Sequence, residues 1–237
     1  MIMRIFLLFI LCCGVGCSTE KLQETITLTN SPQSNLIAEK LQTTIKTNAP
    51  EWNLVLVNKS NKLSPDYKIK TEKFRDNKTV DARILPFLTE MFADARKAGI
   101  KLQFISGYRS QDYQKNLYEN RVKGYMEKGL SRKEAQEQTE LYLAPPGTSE
   151  HSLGLACDIT SEDWGGNLVE EFETTKAFAW LISNCTNYGF ILRYPKGKEK
   201  ITQINYEPWH YRYVGREAAD VIMQKKITLE EFLNQTK

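Results

Sequence analysis

The sequence predicts an α+β domain in which helices flank a small, mainly antiparallel sheet. Helical patterns occupy the first part of the folded region, and short strand patterns occupy much of the last part. No segment of the chain repeats. Helices and strands that segregate along a chain, instead of alternating, are typical of α+β folds. A chain of 237 residues is long enough to bury one full core.

The folded region is predicted to open with a strand, a helix and a second strand. Residues 52–58, "WNLVLVN", alternate in polarity and predict the first strand. Apolar residues then recur with a helical period over 84–95, which predicts a helix capped by Asp81 and ended by Gly99. Residues 100–106, "IKLQFIS", predict a buried strand.

Two polar helices and a loop are predicted next. The first of these helices covers residues 110–128. Ser131 and Glu134 have the spacing of a capping box, which predicts the start of the second. Residues 144–151, "APPGTSEH", are predicted to form a loop because proline and glycine interrupt regular structure.

The rest of the chain is predicted to supply most of the sheet. Strands are predicted at 155–160, 190–194, 200–206 and 209–214, a helix at 173–189 closed by Gly189, and terminal helices at 215–226 and 228–236.

The N-terminal segment has the pattern of an export signal. One basic residue, Arg4, precedes an apolar run at 5–11, which is shorter than the roughly 20 residues that span a bilayer. The following "GVGC" resembles the lipobox of bacterial lipoproteins, so Cys17 is a candidate for lipidation. We therefore expect a signal peptide at 1–17, a polar tether at 18–50 and the folded domain at 51–237. The alternative for the apolar run is an uncleaved anchor or a buried strand.

Charge and cysteine content narrow the class of protein. The net charge is +3 and the two signs interleave, which gives no support for nucleic-acid binding. Two cysteines, Cys157 and Cys185, fall in the folded region. In an exported protein they are candidates for a disulfide, and the alternative is a pair of buried free thiols.

The chain has two histidines, and each lies in a distinctive segment. "SEHSLGLACD" contains His151 and, seven residues later, Asp158, with Gly154 between them to allow a turn. "YEPWHYRYVG" contains His210 and, three residues earlier, Glu207. Catalytic zinc sites use three protein ligands of these types and leave one position open. The two histidines and Asp158 could hold such an ion, and Glu207 could act as a general base beside it.

Four segments together resemble a known family. They are similar to motifs of the zinc D-alanyl-D-alanine carboxypeptidases of the VanY type, and they follow one another along the chain in that family's order. The segments are "SGYRS" at 106–110, "SEHSLGLACD", "YGFILRYPKGKEKIT" at 188–202 and "YEPWHYRYVG". That family includes LD-carboxypeptidases of the LdcB and DacB kind. The resemblance covers about residues 52–224 and implies the fold of DD-peptidases and Hedgehog domains.

The resemblance also implies roles for individual residues. It implies one zinc per chain on the two histidines and the aspartate, with Glu207 as the catalytic base. Arg109 would stabilise the oxyanion and also contact the substrate, since a guanidinium is permanently charged and has several donors. Ser149 would bind the terminal carboxylate of the substrate. Arg193 and Arg212 match family positions too, and we expect structural ion pairs there.

The implied activity is removal of the C-terminal D-alanine from peptidoglycan stem peptides by a monomeric enzyme outside the cytoplasmic membrane. Contact with the membrane's outer face would be through the N-terminal anchor alone. L,D-carboxypeptidases that act on tetrapeptide stems share the zinc motifs and remain an alternative. A second alternative is a wall-peptide-binding module without hydrolysis, as in Hedgehog-like domains. Glu207 discriminates, because a module without catalysis has no chemical need for a base.

Overall fold

A computed structural model describes residues 51–235 of the chain. The expected signal peptide and tether, with Cys17, lie outside the described residues. Within the described part, no helix has both the length and the apolar character needed to cross a membrane. The strands are β1 (Thr71–Lys73), β2 (Thr79–Asp81), β3 (Leu102–Ser106), β4 (Ala156–Ser161), β5 (Phe190–Leu192) and β6 (His210–Tyr213). The helices are α1 (Leu85–Lys97), α2 (Gln111–Met126), α3 (Arg132–Thr139), α4 (Lys176–Asn184), α5 (Glu199–Thr202), α6 (Arg216–Lys225) and α7 (Leu229–Gln235).

A four-stranded antiparallel sheet forms the centre of the fold, in the order β3-β4-β6-β5. All six residues of β4 are buried, as expected of a central strand. Strands β1 and β2 form a separate antiparallel hairpin. The α+β class and the mainly antiparallel sheet are therefore confirmed.

Helix α1 packs on the sheet through one apolar face. Its buried residues are Leu88, Met91, Phe92 and Ala95, at the helical spacing that the sequence showed. Edge-to-face contacts join Phe92, Phe74 and Phe104, with ring centroids 5.0–6.4 Å apart. Such aromatic pairs add to the free energy gained by burying their area.

The predicted cap of α1 was wrong. Asp81 ends strand β2, and its carboxylate accepts hydrogen bonds from the backbone and side chain of Arg83. Ile84 takes the cap position, with no capping side chain. The turn at Asp76 and Asn77, both at positive φ, joins β1 to β2, and the sequence analysis missed this hairpin.

Two predicted strands were also wrong. Residues 52–58 form turns and irregular chain, because the carbonyls of Asn53 and Val55 accept hydrogen bonds from Arg212 and not from a neighbouring strand. Residues 200–206 overlap the short helix α5, which ends at Gln203 in the left-handed conformation. Local hydrogen bonds at α5 occupy the groups that a sheet ladder needs.

The other predicted elements are present with small changes in their bounds. Ser110 caps α2, and Ser131 with Glu134 forms the predicted capping box of α3. The predicted helix at 173–189 is shorter, since α4 passes into a 3-10 turn at Cys185–Tyr188 before Gly189 closes it.

The two cysteines of the domain are free thiols in the structure, and both are fully buried. Burial raises the pKa of Cys185 to about 12 and that of Cys157 well above its usual value. The sequence left open either a disulfide or two buried free thiols, and the structure has the free thiols, which act as small apolar core residues.

Gly154 makes the turn between His151 and β4 at a φ of +72°. A Cβ there would lie 2.5 Å from the Ile69 side chain and 2.9 Å from the backbone nitrogen of Asp81. The turn therefore needs glycine both for its conformation and for its close approach to the β1–β2 hairpin.

We predict that Gly154→Ala lowers the free energy of unfolding by at least about 2–3 kcal/mol. The matched control is Gly129→Ala, at a φ of +97° with nothing within 4 Å of the added Cβ. It should lose only about 1–2 kcal/mol from the left-handed conformation. Urea unfolding of both variants measures the difference, and equal losses would mean that the hairpin contact is unimportant.

Candidate metal centre

A 3-10 turn, two strands and the segment before the second strand bring the predicted site residues together. His151 lies on the 3-10 turn Glu150–Leu153, and Asp158 is the third residue of β4. His210 begins β6, and Glu207 precedes that strand by three residues. In the sheet register Asp158 lies opposite His210 on one side and Ser106 on the other. The antiparallel pairing of β4 with β6 therefore places two of the three predicted ligands side by side.

The three predicted ligands converge in space. Their candidate donor atoms all lie within 4.8 Å of one another, and all three residues are buried. His151 Nε2 is 3.3 Å from Asp158 Oδ2, and His210 Nδ1 is 3.2 Å from Asp158 Oδ1. The two imidazole rings are nearly perpendicular, with centroids 5.0 Å apart. Two imidazoles and one carboxylate are a donor set that suits zinc.

Unpaired buried atoms support a metal at this position. His151 Nε2 and Asp158 Oδ1 have no hydrogen-bond partner although they are inaccessible to solvent. Buried polar atoms are rarely left unpaired, so both are available to a cation. His151 Nδ1 donates to the carbonyl of Gly107 at 2.7 Å, which leaves a lone pair on Nε2. Burial and the charge of Arg109 lower the pKa of His151 to about 4, so the ring is neutral, as a ligand must be.

Glu150 is a site residue that the sequence analysis missed. Its Oε2 lies 3.7 Å from His210 Nε2, and neither atom has a hydrogen-bond partner. Its Oε1 accepts from Arg193 and Arg212, each at 2.8 Å, which confirms the ion pairs expected of these arginines. Against the effect of burial, the two guanidiniums hold the pKa of Glu150 well below its usual range. This fixed carboxylate orients His210 so that Nδ1 faces the other ligands.

The carboxylates of Asp158, Glu150 and Glu207 stabilise a positive charge on or beside His210. Burial opposes protonation, yet the nearby carboxylates of Asp158 and Glu150 raise the pKa of His210 to about 9. Either a proton or a metal ion can supply this positive charge, and binding of the ion displaces the proton.

Glu207 lies beside the ligands without belonging to the cluster of three. Its Oε2 is 3.5 Å from His210 Nδ1, and the side chain is buried. Burial raises the pKa of Glu207 to about 8, with further contributions from Asp158 and Glu150, while His210 and Arg109 oppose the rise. A carboxyl group with a pKa near neutrality can both accept and return a proton.

Arg109 points into the site from the connection between β3 and α2. Its Nη2 is 3.4 Å from Asp158 Oδ2, and its Nη1 donates to Gln114 Oε1 at 3.1 Å. Gln114 in turn donates to the carbonyl of Ala144 at 2.7 Å. The sequence analysis missed Gln114, although its place four residues after the Ser110 cap puts it on the same turn of α2 as the site. The buried Ser149 immediately precedes the turn of His151.

A cleft of about 790 Å³ opens over these residues. Ser149, Arg109, Glu207 and the three candidate ligands line its floor. One face of α2 and residues 168–171 form its walls. Its volume is in the range of ligand-binding clefts, and the candidate metal centre lies among its lining residues.

The chain matches the VanY family, D-alanyl-D-alanine carboxypeptidase, over residues 77–216. It is 38% identical over 209 residues to a D-alanyl-D-alanine carboxypeptidase of Enterococcus faecalis, covering 87% of this chain and 74% of the relative.

Two solved structures have the same fold. One is a glutamate-to-alanine mutant of VanY, a vancomycin-resistance D,D-pentapeptidase from a VanB-type cassette, in complex with Zn(II). It is 40% identical, with a TM-score of 0.70, and the match covers 78% of this chain and 100% of that chain. The other is the LdcB LD-carboxypeptidase, 38% identical with a TM-score of 0.67, covering 78% of this chain and 88% of that chain.

We predict that Glu150→Gln weakens zinc binding about 10–100-fold, since the amide loses the charge that orients His210. Competition with a chromophoric chelator measures the affinity. The matched control is Glu230→Gln, because Glu230 binds the same Arg193 but does not contact His210. The control should stay within about threefold of the wild type. Equal weakening in both variants would mean that Glu150 acts only through general stability.

Proposed function

The chain belongs to the VanY family of D-alanyl-D-alanine carboxypeptidases, and we propose that it removes the C-terminal D-alanine from peptidoglycan stem peptides. It is a zinc enzyme, and we assign the ion to His151, Asp158 and His210. The observation that carries the proposal is the buried carboxyl group of Glu207, 3.5 Å from a ligand and outside the ligand set. A site that only binds has no use for such a group.

Zinc, when bound, would act as a Lewis acid that lowers the pKa of water toward neutrality and polarises a carbonyl group. Glu207 accepts the proton of the attacking water and then delivers it to the nitrogen of the leaving D-alanine. Its raised pKa suits both steps, and a nearby dication lowers it toward the ionised form that starts the reaction. Burial keeps bulk water from competing for this proton.

Arg109 and Ser149 bind the reacting end of the peptide. Arg109 stabilises the charge that develops on the carbonyl oxygen, and Gln114 holds its guanidinium from the side. The hydroxyl of Ser149, beside His151 in the cleft, donates to the terminal carboxylate of the substrate.

The tetrapeptide stem is the second candidate substrate. The identity with the LdcB LD-carboxypeptidase, 38%, is close to the 40% identity with the VanY D,D-pentapeptidase. Both activities would use the same ligands and the same base, so the choice depends on the walls of the cleft and not on its floor.

We place the enzyme in the cell-wall zone, outside the cytoplasmic membrane. The support is the substrate itself together with the apolar run at 5–11 and Cys17, which suit an exported protein held on the membrane's outer face. The polar tether at 18–50 would let a monomeric domain reach the wall.

We predict that the purified zinc-loaded protein releases one D-alanine from a pentapeptide stem faster than from a tetrapeptide stem. Mass spectrometry of the two separate reactions identifies the products. Removal of zinc by a chelator should stop release, and added zinc should restore it. Preferred cleavage of the tetrapeptide would instead establish the L,D alternative.

We predict that Glu207→Gln keeps zinc content and peptide binding but lowers turnover by at least about 10²–10⁴-fold, the range for losing a general acid–base group. The amide keeps the size of the side chain but cannot take the proton. The control is His210→Ala, which should lose zinc as well as turnover. Loss of zinc in Glu207→Gln would make Glu207 a ligand, and unchanged turnover would remove it from the mechanism.

A further inference from the structure

We propose that a groove on the outer side of α2 binds the glycan end of the substrate, the N-acetylmuramyl sugar that carries the stem peptide. The groove has a volume of about 340 Å³ and is lined by Leu117, Asn120, Arg121, Gly124, Tyr125 and Lys128. The inference rests on the proposed function, because it extends the same substrate beyond its peptide.

The groove adjoins the cleft over the metal centre. Leu117, Arg121 and Tyr125 follow one another at intervals of four residues, so they form one ridge of α2. All three line both the cleft and the outer groove. A ligand that extends from the cleft over this ridge therefore meets the groove next.

Gly124 has no role inside the fold. It lies in the last turn of α2 without a positive φ, and a Cβ added to it would meet nothing within 4 Å. Glycine within a helix is unfavourable relative to alanine, and no packing contact here requires it. The missing side chain deepens the groove between Asn120 and Lys128, where a ligand can approach the helix backbone.

The length of α2 matches the length of the peptide. Gln114, which holds Arg109, and Gly124 are ten residues apart, or about 15 Å at 1.5 Å per residue. In a pentapeptide stem, four residues separate the scissile bond from the lactyl group of the sugar. Four extended residues span about 13–14 Å. With its C-terminus over the metal centre, the stem therefore brings its sugar to the groove.

The lining suits a sugar with an amide-bearing substituent. The side chain of Leu117 offers an apolar surface to the C–H face of a pyranose, and Lys128 Nζ, 5.7 Å from the centroid of the Tyr125 ring, can donate to sugar hydroxyls. Asn120 supplies an amide donor and acceptor for hydroxyl and N-acetyl groups. Arg121, an exposed side chain that lines both cavities, can donate to the carbonyl of the lactyl link.

Binding should be measured on protein that carries Glu207→Gln, so that turnover does not interfere. The ligands are a free pentapeptide stem and the same pentapeptide on a GlcNAc–MurNAc disaccharide. We expect the dissociation constant of the disaccharide ligand to be about tenfold lower than that of the free peptide. Adding Gly124→Leu should remove that advantage, leave the free peptide's affinity within about twofold, and raise the melting temperature. The last effect would exclude misfolding as the cause.

The matched control is Lys115→Leu, which places the same side chain on the opposite face of α2, away from both cavities, and should keep the disaccharide advantage. Asn120→Ala should reduce the advantage in part. Equal affinities of the two ligands for the parent protein, or an advantage that survives Gly124→Leu, would overturn the proposal. Hydrolysis of free pentapeptide by the wild type tests the proposed function separately.

Discussion

The buried charge cluster around Glu150 is the interaction on which the rest of the structure depends. Arg193 and Arg212 are both fully buried, and both donate to one oxygen of Glu150. Arg212 also fixes the carbonyls of residues 53 and 55, and Arg193 binds Glu230 of α7. Buried ions are tolerated when they are paired, so these contacts specify how residues 53–55 and α7 lie against the turn that carries Glu150. The free oxygen of Glu150 then faces His210, which links this arrangement to the metal centre.

The metal centre is a product of strand register as much as of motif. Asp158 lies between Ser106 of β3 and His210 of β6, and a slip of one residue in either pairing would turn its side chain to the other face of the sheet. The charge cluster prevents such a slip, because Arg212 of β6 must reach Glu150 on the turn before β4. Gly154 adds a second constraint by holding that turn against the β1–β2 hairpin. Stability and catalysis therefore share the same few contacts.

Sequence alone led to the residues that the fold brings together as candidate ligands, since the chain has only two histidines and each lies in a distinctive segment. Periodicity also located α1, β3 and β4, where one apolar face meets one core. It failed at 52–58 and 200–206, where short apolar runs fit a strand but buried side chains or local turns take the backbone hydrogen bonds. Glu150 was missed because the contacts that define its role come from residues distant in the sequence. A charged residue next to a ligand looks like a solvated one until the two arginines that neutralise it, 43 and 62 residues away, are placed beside it.

Helix α2 explains how one rigid element can serve both the reacting bond and the distant part of a substrate. Its N-terminal turn holds Arg109 through Gln114, and its far end carries Gly124. The buried stripe of Gln114, Tyr118 and Val122 fixes the helix against α3 and the loop at Ala144. Because a helix transmits position along its length without bending freely, a sugar held at one end would set the depth of the peptide at the other. Discrimination between four- and five-residue stems then becomes a question of length as well as of contacts at the metal, since a stem one residue shorter ends about 3.4 Å short of the same floor.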